Sequence, residues 1–484
     1  MHRYLMRMCV ATAAGVALST IGVAGVSASV AAAPARQAAR MGGAATSLAA
    51  ASPGAQLWAK RYNGTGNNAD VATAVAVSPT GGTVYVTGQS YGTALVVDYA
   101  TVAYNAATGV QQWVARYNGP AGSGGSVPSS VAVSPDGKTV FVTGKSLMAN
   151  GQNDYATVAY NAANGQQLWA KGYNGPLNND DEATAAAVSP TGGTVYVTGF
   201  SWGKVGGADY ATIAYNAATG TQSWVKRYNG PGNGTDDANS VAVNPTNGTV
   251  YVTGQSFGTS ASGLDYVTVA YDASGAQQWV KRYNGPGHNT DDPHSVAVSP
   301  DGKTVYVTGQ SWGGQAPAWD YATVAYNAAT GVQQWAKRYN GPGNAYDLAS
   351  SVAVSPNSAT VYVTGQSAGT NTGADYATIA YTAASGTQQW VNRYNDTGNG
   401  TDIATSLAVN PASGMVYVTG QSFAPSGVYD YATVAYTATG TQQWVKRPIG
   451  SVGFPSSVAV SPTTGAVFVT GANAGDYTTT AYQG

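Results

Sequence analysis

The chain has 484 residues, of which 9% are charged, against about 25% in ordinary soluble domains. Its formal net charge of −1 gives no electrostatic reason to expect nucleic acid or an anionic membrane as a partner. The single cysteine, Cys9, excludes disulfides, thiolate nucleophiles and cysteine metal sites from everything after it.

Residues 1–33 read as a secretory signal peptide. Arg3 and Arg7 supply a positive start, and an apolar, small-residue run follows from Val10 to about Val26. Small residues then offer cleavage sites after Ser29 or between Ala31 and Ala35, with Pro34 disfavouring a cut directly after Ala33. The run is short and Ala/Gly-rich for a membrane span, and Cys9 precedes it instead of closing it, unlike a lipoprotein. Without Arg3 and Arg7 the chain counts 19 basic and 22 acidic residues, a net −3. Residues 34–54 are Ala/Gly/Ser-rich and aperiodic, and are expected to form a flexible leader.

From residue 55 onward one module recurs eight times. Its tryptophan stands at Trp58, Trp113, Trp169, Trp224, Trp279, Trp335, Trp390 and Trp444, at spacings of 54 to 56. Variants of SVAVSP, VYVTG and DYATVAY also recur eight times each. A repeat of this period signals a propeller or a solenoid. Each segment alternates with the two-residue period of a strand and is bounded by turn residues. In the unit starting at Ser240, Val241 and Val243 share one face and Pro245 ends the strand. Val250 to Val252 form the second strand, closed by Gly254, Tyr266 to Tyr271 the third, and the fourth follows the Ala273–Gly275 turn with Trp279 at its centre.

The small Ala of VAV belongs in the crowded strand nearest an axis, and bulky Trp at the wider periphery. The order within a unit is therefore A (VAV), B (VYV), C (DYATVAY), D (QQW). The chain opens on a D segment, residues 56–62, and closes on A, B and C segments, residues 458–482. These fractions are complementary. Residues 55–484 are thus expected to form an all-β, eight-bladed propeller with four-stranded antiparallel blades, closed by the N-terminal outer strand, which removes the open edges. Each tryptophan can bury about 150–250 Å², enough to explain its recurrence as blade-to-blade packing.

The segment Arg227–Gly285, RYNGPGNGTDDANSVAVNPTNGTVYVTGQS followed by DYVTVAYDASGAQQWVKRYNG, resembles the bacterial β-propeller repeat called SBBP. The likeness covers all eight units and is specific at the VYVTG segment and the turn before QQW. That family implies a propeller and no particular activity. More distantly, Ala103–Trp113 (AYNAATGVQQW) is similar to the docking motif of quinoprotein repeats, which are also eight-bladed. Quinoprotein dehydrogenases hold their quinone with a vicinal cysteine pair and acidic calcium ligands. The repeats here contain no cysteine, so the likeness implies architecture and not the cofactor.

The A–B and C–D loops share one face and are terse. The B–C and D–A loops share the other, vary between blades, and are where a ligand is expected. Two residue sets stand out there. An acidic position five residues before strand A holds Asp70, Asp181, Asp236, Asp291, Asp347 and Asp402, replaced by Ser126 and Gly453 in two blades. This partial ring can hold Ca²⁺, or each Asp can cap backbone N–H groups in a tight turn. Asp98 and its seven equivalents through Asp476 fit a structural turn role. The second set is aromatic: Tyr91, Trp202, Phe257, Trp312, Trp319 and Phe423, placed on the B–C loops. Rings beside carboxylates suit sugar or peptide binding, or they pack the loops over the blade edge. His288 and His294 occur in one loop with Asp291 and Asp292 and can act as metal ligands or as acid and base, though their spacing matches no metal motif.

No nucleophile motif, phosphate loop or basic aromatic patch occurs. The function expected is a secreted, monomeric, non-enzymatic binding or scaffold module for an extracellular glycan or protein. No cofactor is expected, with Ca²⁺ the one candidate, and no nucleic acid or, after signal cleavage, membrane as a partner. The alternative is a propeller enzyme, a quinone-linked oxidoreductase or a carbohydrate-active hydrolase or lyase.

Overall fold

The structure, a computed structural model, describes residues 51–484 except 94–95, 121, 123, 149, 260–262, 315–318 and 448–452. The signal peptide expected over 1–33 and the leader up to residue 50 lie outside the described residues. The described residues form 32 strands in eight four-stranded antiparallel sheets. Seven sheets are consecutive meanders: blade 1 (71–117), blade 2 (127–173), blade 3 (181–228), blade 4 (236–283), blade 5 (291–339), blade 6 (347–394) and blade 7 (403–446). Blade 8 takes strands A to C from 453–482 and strand D from Gln56–Tyr62. In this closure Trp58 lies opposite Ala481 and Tyr62 opposite Tyr477. Just before this strand, at the end of the segment expected as the leader, Gly54 reaches both blades 7 and 8. Gly54 donates to the Gln483 carbonyl at 2.7 Å and lies over the Trp444 ring in the left-handed backbone region, at φ 74°.

Strands A of adjacent blades pack against one another around the axis, as the small VAV residues require. Blade-to-blade contacts explain most of the recurring residues. The Trp indole N–H donates to the Ala carbonyl in the next blade's C–D turn, from Trp58 to Ala106 (2.8 Å) through Trp390 to Ala438 (3.0 Å). The Tyr of strand C donates to the next blade's strand C, as from Tyr155 to the Ala211 carbonyl at 3.1 Å. Tyr477 donates to the Ala100 carbonyl at 3.2 Å and so ties blade 8 to blade 1. Within each blade a buried Thr pair joins strands B and C, for example Thr198 and Thr212 at 3.0 Å. Every such bond is worth about 1 kcal/mol net, and each recurs around the ring.

Two boundaries differ from the sequence expectation. Strand B does not close at its glycine. It runs through Gly254 to Phe257 (Val250–Phe257), and a Cβ at Gly254 would come within 2.0 Å of the Asp237 carbonyl oxygen. The glycine is there because strand A bulges toward it, with the register shift between Ala238 and Ser240. The bulge residue, Asn239, is turned toward the next blade and donates to the Pro293 carbonyl at 2.7 Å. Strand A, in turn, starts at the acidic position instead of five residues after it, as in Asp236–Val243.

Candidate functional site

In six blades the D–A loop begins with Asn-Gly, or in one of them with Asn395-Asp396, and makes a tight turn whose apex residue is left-handed: Asn67, Asn178, Asn233, His288, Asn344 and Asn399, at φ 47° to 49°. The acidic residue that ends this loop turns back into it. Asp181 accepts from the Gly175 N–H at 2.5 Å through Oδ2 and from the Trp202 N–H at 3.0 Å through Oδ1. Asp70, Asp236, Asp291 and Asp402 repeat both contacts. Asp347 accepts from the Gly341 N–H at 2.8 Å. All six side chains are fully buried. Burial pushes the carboxyls of Asp181, Asp236, Asp291, Asp347 and Asp402 upward, and these hydrogen bonds pull them back. The geometry is that of a clamp fastening the D–A loop to the end of strand B.

His288 takes the apex position that Asn fills in other blades. His294 is a bulge residue, placing Nδ1 2.7 Å from the Ala349 carbonyl and Nε2 3.3 Å from Asp292 Oδ2. It therefore bridges two blades, as Thr184 does to the Ala238 carbonyl at 2.8 Å. Among the described residues no group of three or more His, Cys, Asp or Glu side chains comes together as a metal site.

The aromatic set belongs to strand ends and not to loops. Tyr91, Trp202, Phe257, Trp312 and Phe423 are the last residues of B strands, and Trp319 is the first of a C strand. All six are half-buried. Phe257 and Phe423 lie over loop glycines of their own blades, Gly234 and Gly400. Trp312 and Trp319 are cross-strand partners with ring centroids 5.6 Å apart, edge to face.

The arginine of WVKRYNG is a functional position not singled out by its sequence pattern alone. At the D-strand end in blade 3, Arg227 directs Nε and NH2 at Asp209 Oδ2 (3.1 and 2.8 Å), and NH2 at the Ser201 carbonyl (2.7 Å). Its NH1 reaches Ser201 Oγ (2.5 Å) and the Tyr173 hydroxyl of the preceding blade (3.1 Å). These five contacts match the five N–H donors of a guanidinium. Arg116 and Arg393 repeat the set, and Arg282 and Arg338 repeat most of it. This is what Asp98 and its equivalents do at the start of strand C. The signal was available: the arginine recurs in every blade but one, where Gly172 replaces it.

The family model described as outer membrane protein assembly factor BamB matches residues 9–251 and 152–393, most of the chain. The chain belongs to this PQQ-like repeat family. No curated protein matches it. Among solved structures, Chaetomium thermophilum Sqt1 bound to the N-terminus of ribosomal protein L10 aligns at 12% identity and a TM-score of 0.56, covering 86% of this chain and 97% of that one. The Dos1 propeller aligns at 10% identity and 0.55, covering 88% and 95%. BamB from Moraxella catarrhalis aligns at 15% identity over 89% and 97%, with a TM-score of 0.45 too low to build on. These likenesses show the propeller fold alone.

The residues present in this PQQ-like repeat protein do not fit a bound quinone. The repeats hold no cysteine, and no acidic cluster forms among the described residues. The guanidinium groups that could meet quinone carboxylates are already engaged by Asp, Ser and Tyr, as at Arg227 and Arg393.

Proposed function

We propose that the chain is an exported bacterial propeller of the SBBP type that works as a non-enzymatic binding or scaffold module. It takes an extracellular glycan or protein on the face of the B–C and D–A loops. The observation that carries the reading is a set of exposed apolar side chains among the variable loops; four others, Leu57 and Leu168 in D strands and Val110 and Val332 in C–D turns, lie away from those loops. Leu177 and Tyr346 in D–A loops, Val205 in a B–C loop and Phe454 at the start of strand A are exposed by 48–61% on this face. The half-buried rings of Trp202, Trp312 and Trp319 accompany them. Exposed apolar groups on a variable loop face offer contact points for a partner. The relatives add support: the family is described by an assembly factor, and the Sqt1 structure holds a protein N-terminus.

Export rests on the Arg3/Arg7 start and the apolar run after it. The reading is tested on arrays of glycans and cell-wall fragments probed with the secreted protein and with a Trp312→Ala/Trp319→Ala variant. Binding by the wild type that weakens in the variant, with a cooperative melting transition retained well above the assay temperature, supports it. Stoichiometric quinone absorbance in the secreted protein overturns it in favour of an oxidoreductase.

A further inference from the structure

In blade 2 the arginine socket keeps its acceptors and lacks its arginine. Strand D there is Gln167–Tyr173, with Gly172 where blade 3 has Arg227. Asp154, the counterpart of Asp209, is only 5% exposed. Its Oδ1 is buried without a hydrogen-bond partner, as is that of Asp98 and Asp209 where the arginine is present. What sets Asp154 apart is Oδ2, the oxygen that Arg227 meets on Asp209, which has neither an ion pair nor a hydrogen bond among the described residues. Tyr117 stands where Tyr173 stands for Arg227, its hydroxyl beside Ser146, the counterpart of Ser201. Asp154, Tyr117, Gly172, Met148 and Arg116 line a cavity of about 660 Å³ that opens between blades 1 and 2 on the B–C/D–A face.

We propose that this cavity is a receptor for a guanidinium group on an aliphatic stem, an arginine carried by a partner polypeptide or free arginine, which takes the place of Arg227 in blade 3. The inference rests on the reading of this face as the binding face and names the chemistry of one of its subsites. Packing does not forbid an arginine at this position. A Cβ on Gly172 would meet the Tyr155 carbonyl oxygen at 3.5 Å and Met148 Cε at 3.6 Å, ordinary contacts.

The surroundings favour a cation. Burial, then Asp181 and Asp180, push the Asp154 carboxyl up to about 6. The cationic groups around it are engaged: Arg116 by Asp98 at 2.9 Å and Lys145 by Glu182 at 2.8 Å. The choice of guanidinium over a metal follows from the acceptors. Calcium takes six to eight oxygens and finds a single unengaged carboxylate. The socket elsewhere in the ring matches a planar fork of five donors, a pattern that an ammonium does not reproduce.

The test is a calorimetric titration of the full protein with N-acetyl-arginine methylamide, free L-arginine and a blocked Gly-Arg-Gly peptide, with the citrulline and lysine analogues as controls. The arginine probes should bind with a Kd on the order of a millimolar, and the citrulline and lysine analogues more weakly. Gly172→Arg, which plants a tethered guanidinium in the socket, and Asp154→Asn should each weaken binding by ~10- to 100-fold. The ratio of peptide to free arginine affinity identifies the source. Undiminished binding to Gly172→Arg, or no binding of any guanidinium probe to the wild type at about ten times that concentration, overturns the proposal. Such a failure leaves the array result intact, because Trp312 and Trp319 belong to blade 5.

Discussion

Blades 2 and 3 are neighbours with the same strands and the same register, and they divide the protein's chemistry between them. Blade 3 has its socket filled: Asp181 clamps the D–A loop, Arg227 pairs with Asp209 through Oδ2, and Trp202 ends strand B. Blade 2 has Ser126, Gly172 and Leu147 at those positions, and Asp154 is left buried and unpaired. Ser126 now bonds Ser146 at 2.9 Å. The contacts that join blades, such as Trp113 to the Ala162 carbonyl, persist in blade 2. Repetition therefore marks what holds the ring together, and departure from it marks where the ring can receive something else.

The largest effect should come from removing what all blades share. Deleting residues through Tyr62 takes strand D from blade 8 and strips the cover from Trp444. The expected loss is on the order of 5 kcal/mol or more, read as a collapsed melting transition and aggregation in light scattering. A soluble truncation of equal stability would contradict ring closure.

Arg227→Gly converts blade 3 into blade 2 at one position. It leaves Asp209, which is 7% exposed, as an uncompensated buried charge, at a cost of about 3 kcal/mol in denaturant unfolding. If blade 3 tolerates the change within experimental error, the socket is not structural. The reverse change, at Asp154, carries a pH signature. Its folded pKa of about 6 lies above the unfolded value of about 3.9. The ionised carboxylate therefore destabilises the native state above pH 6, and the deficit disappears as pH falls toward 4. Asp154→Asn should be more stable than the wild type by about 1–3 kcal/mol at pH 7, with the gap closing near pH 4. Gly172→Arg should stabilise by about 1–2 kcal/mol at pH 7 by pairing the same carboxylate. Trp312→Ala with Trp319→Ala removes an edge-to-face pair worth about 0.5–1.5 kcal/mol beyond its buried area, a loss confined to one blade edge, while weakening any ligand of the exposed rings.

The eightfold repeat, the strand order and the closure of 56–62 on 476–482 were legible because they rest on residue types at fixed spacing. The site was less so. The partners of Asp181 are the N–H groups of Gly175 and Trp202, and a backbone donor leaves no mark on residue identity, so clamp and calcium ligand read alike. Gly254 resembles a strand terminator, yet it is the point where a bulged strand A crowds strand B. Trp202 and Trp312 looked like loop residues for the same reason. Gly172 was visible in the aligned repeats, but its meaning needed the five donors of Arg227 and the burial of Asp154.

The most direct test of the account is carbon-detected NMR titration of the Asp carboxyls, with Asp154→Asn assigning the resonance. Asp154 should titrate near pH 6 in the wild type and fall into the ordinary carboxylate range, about 4 or below, in Gly172→Arg or with saturating N-acetyl-arginine methylamide. An Asp154 that already titrates near 4 in the wild type, and does not move with either, would contradict it.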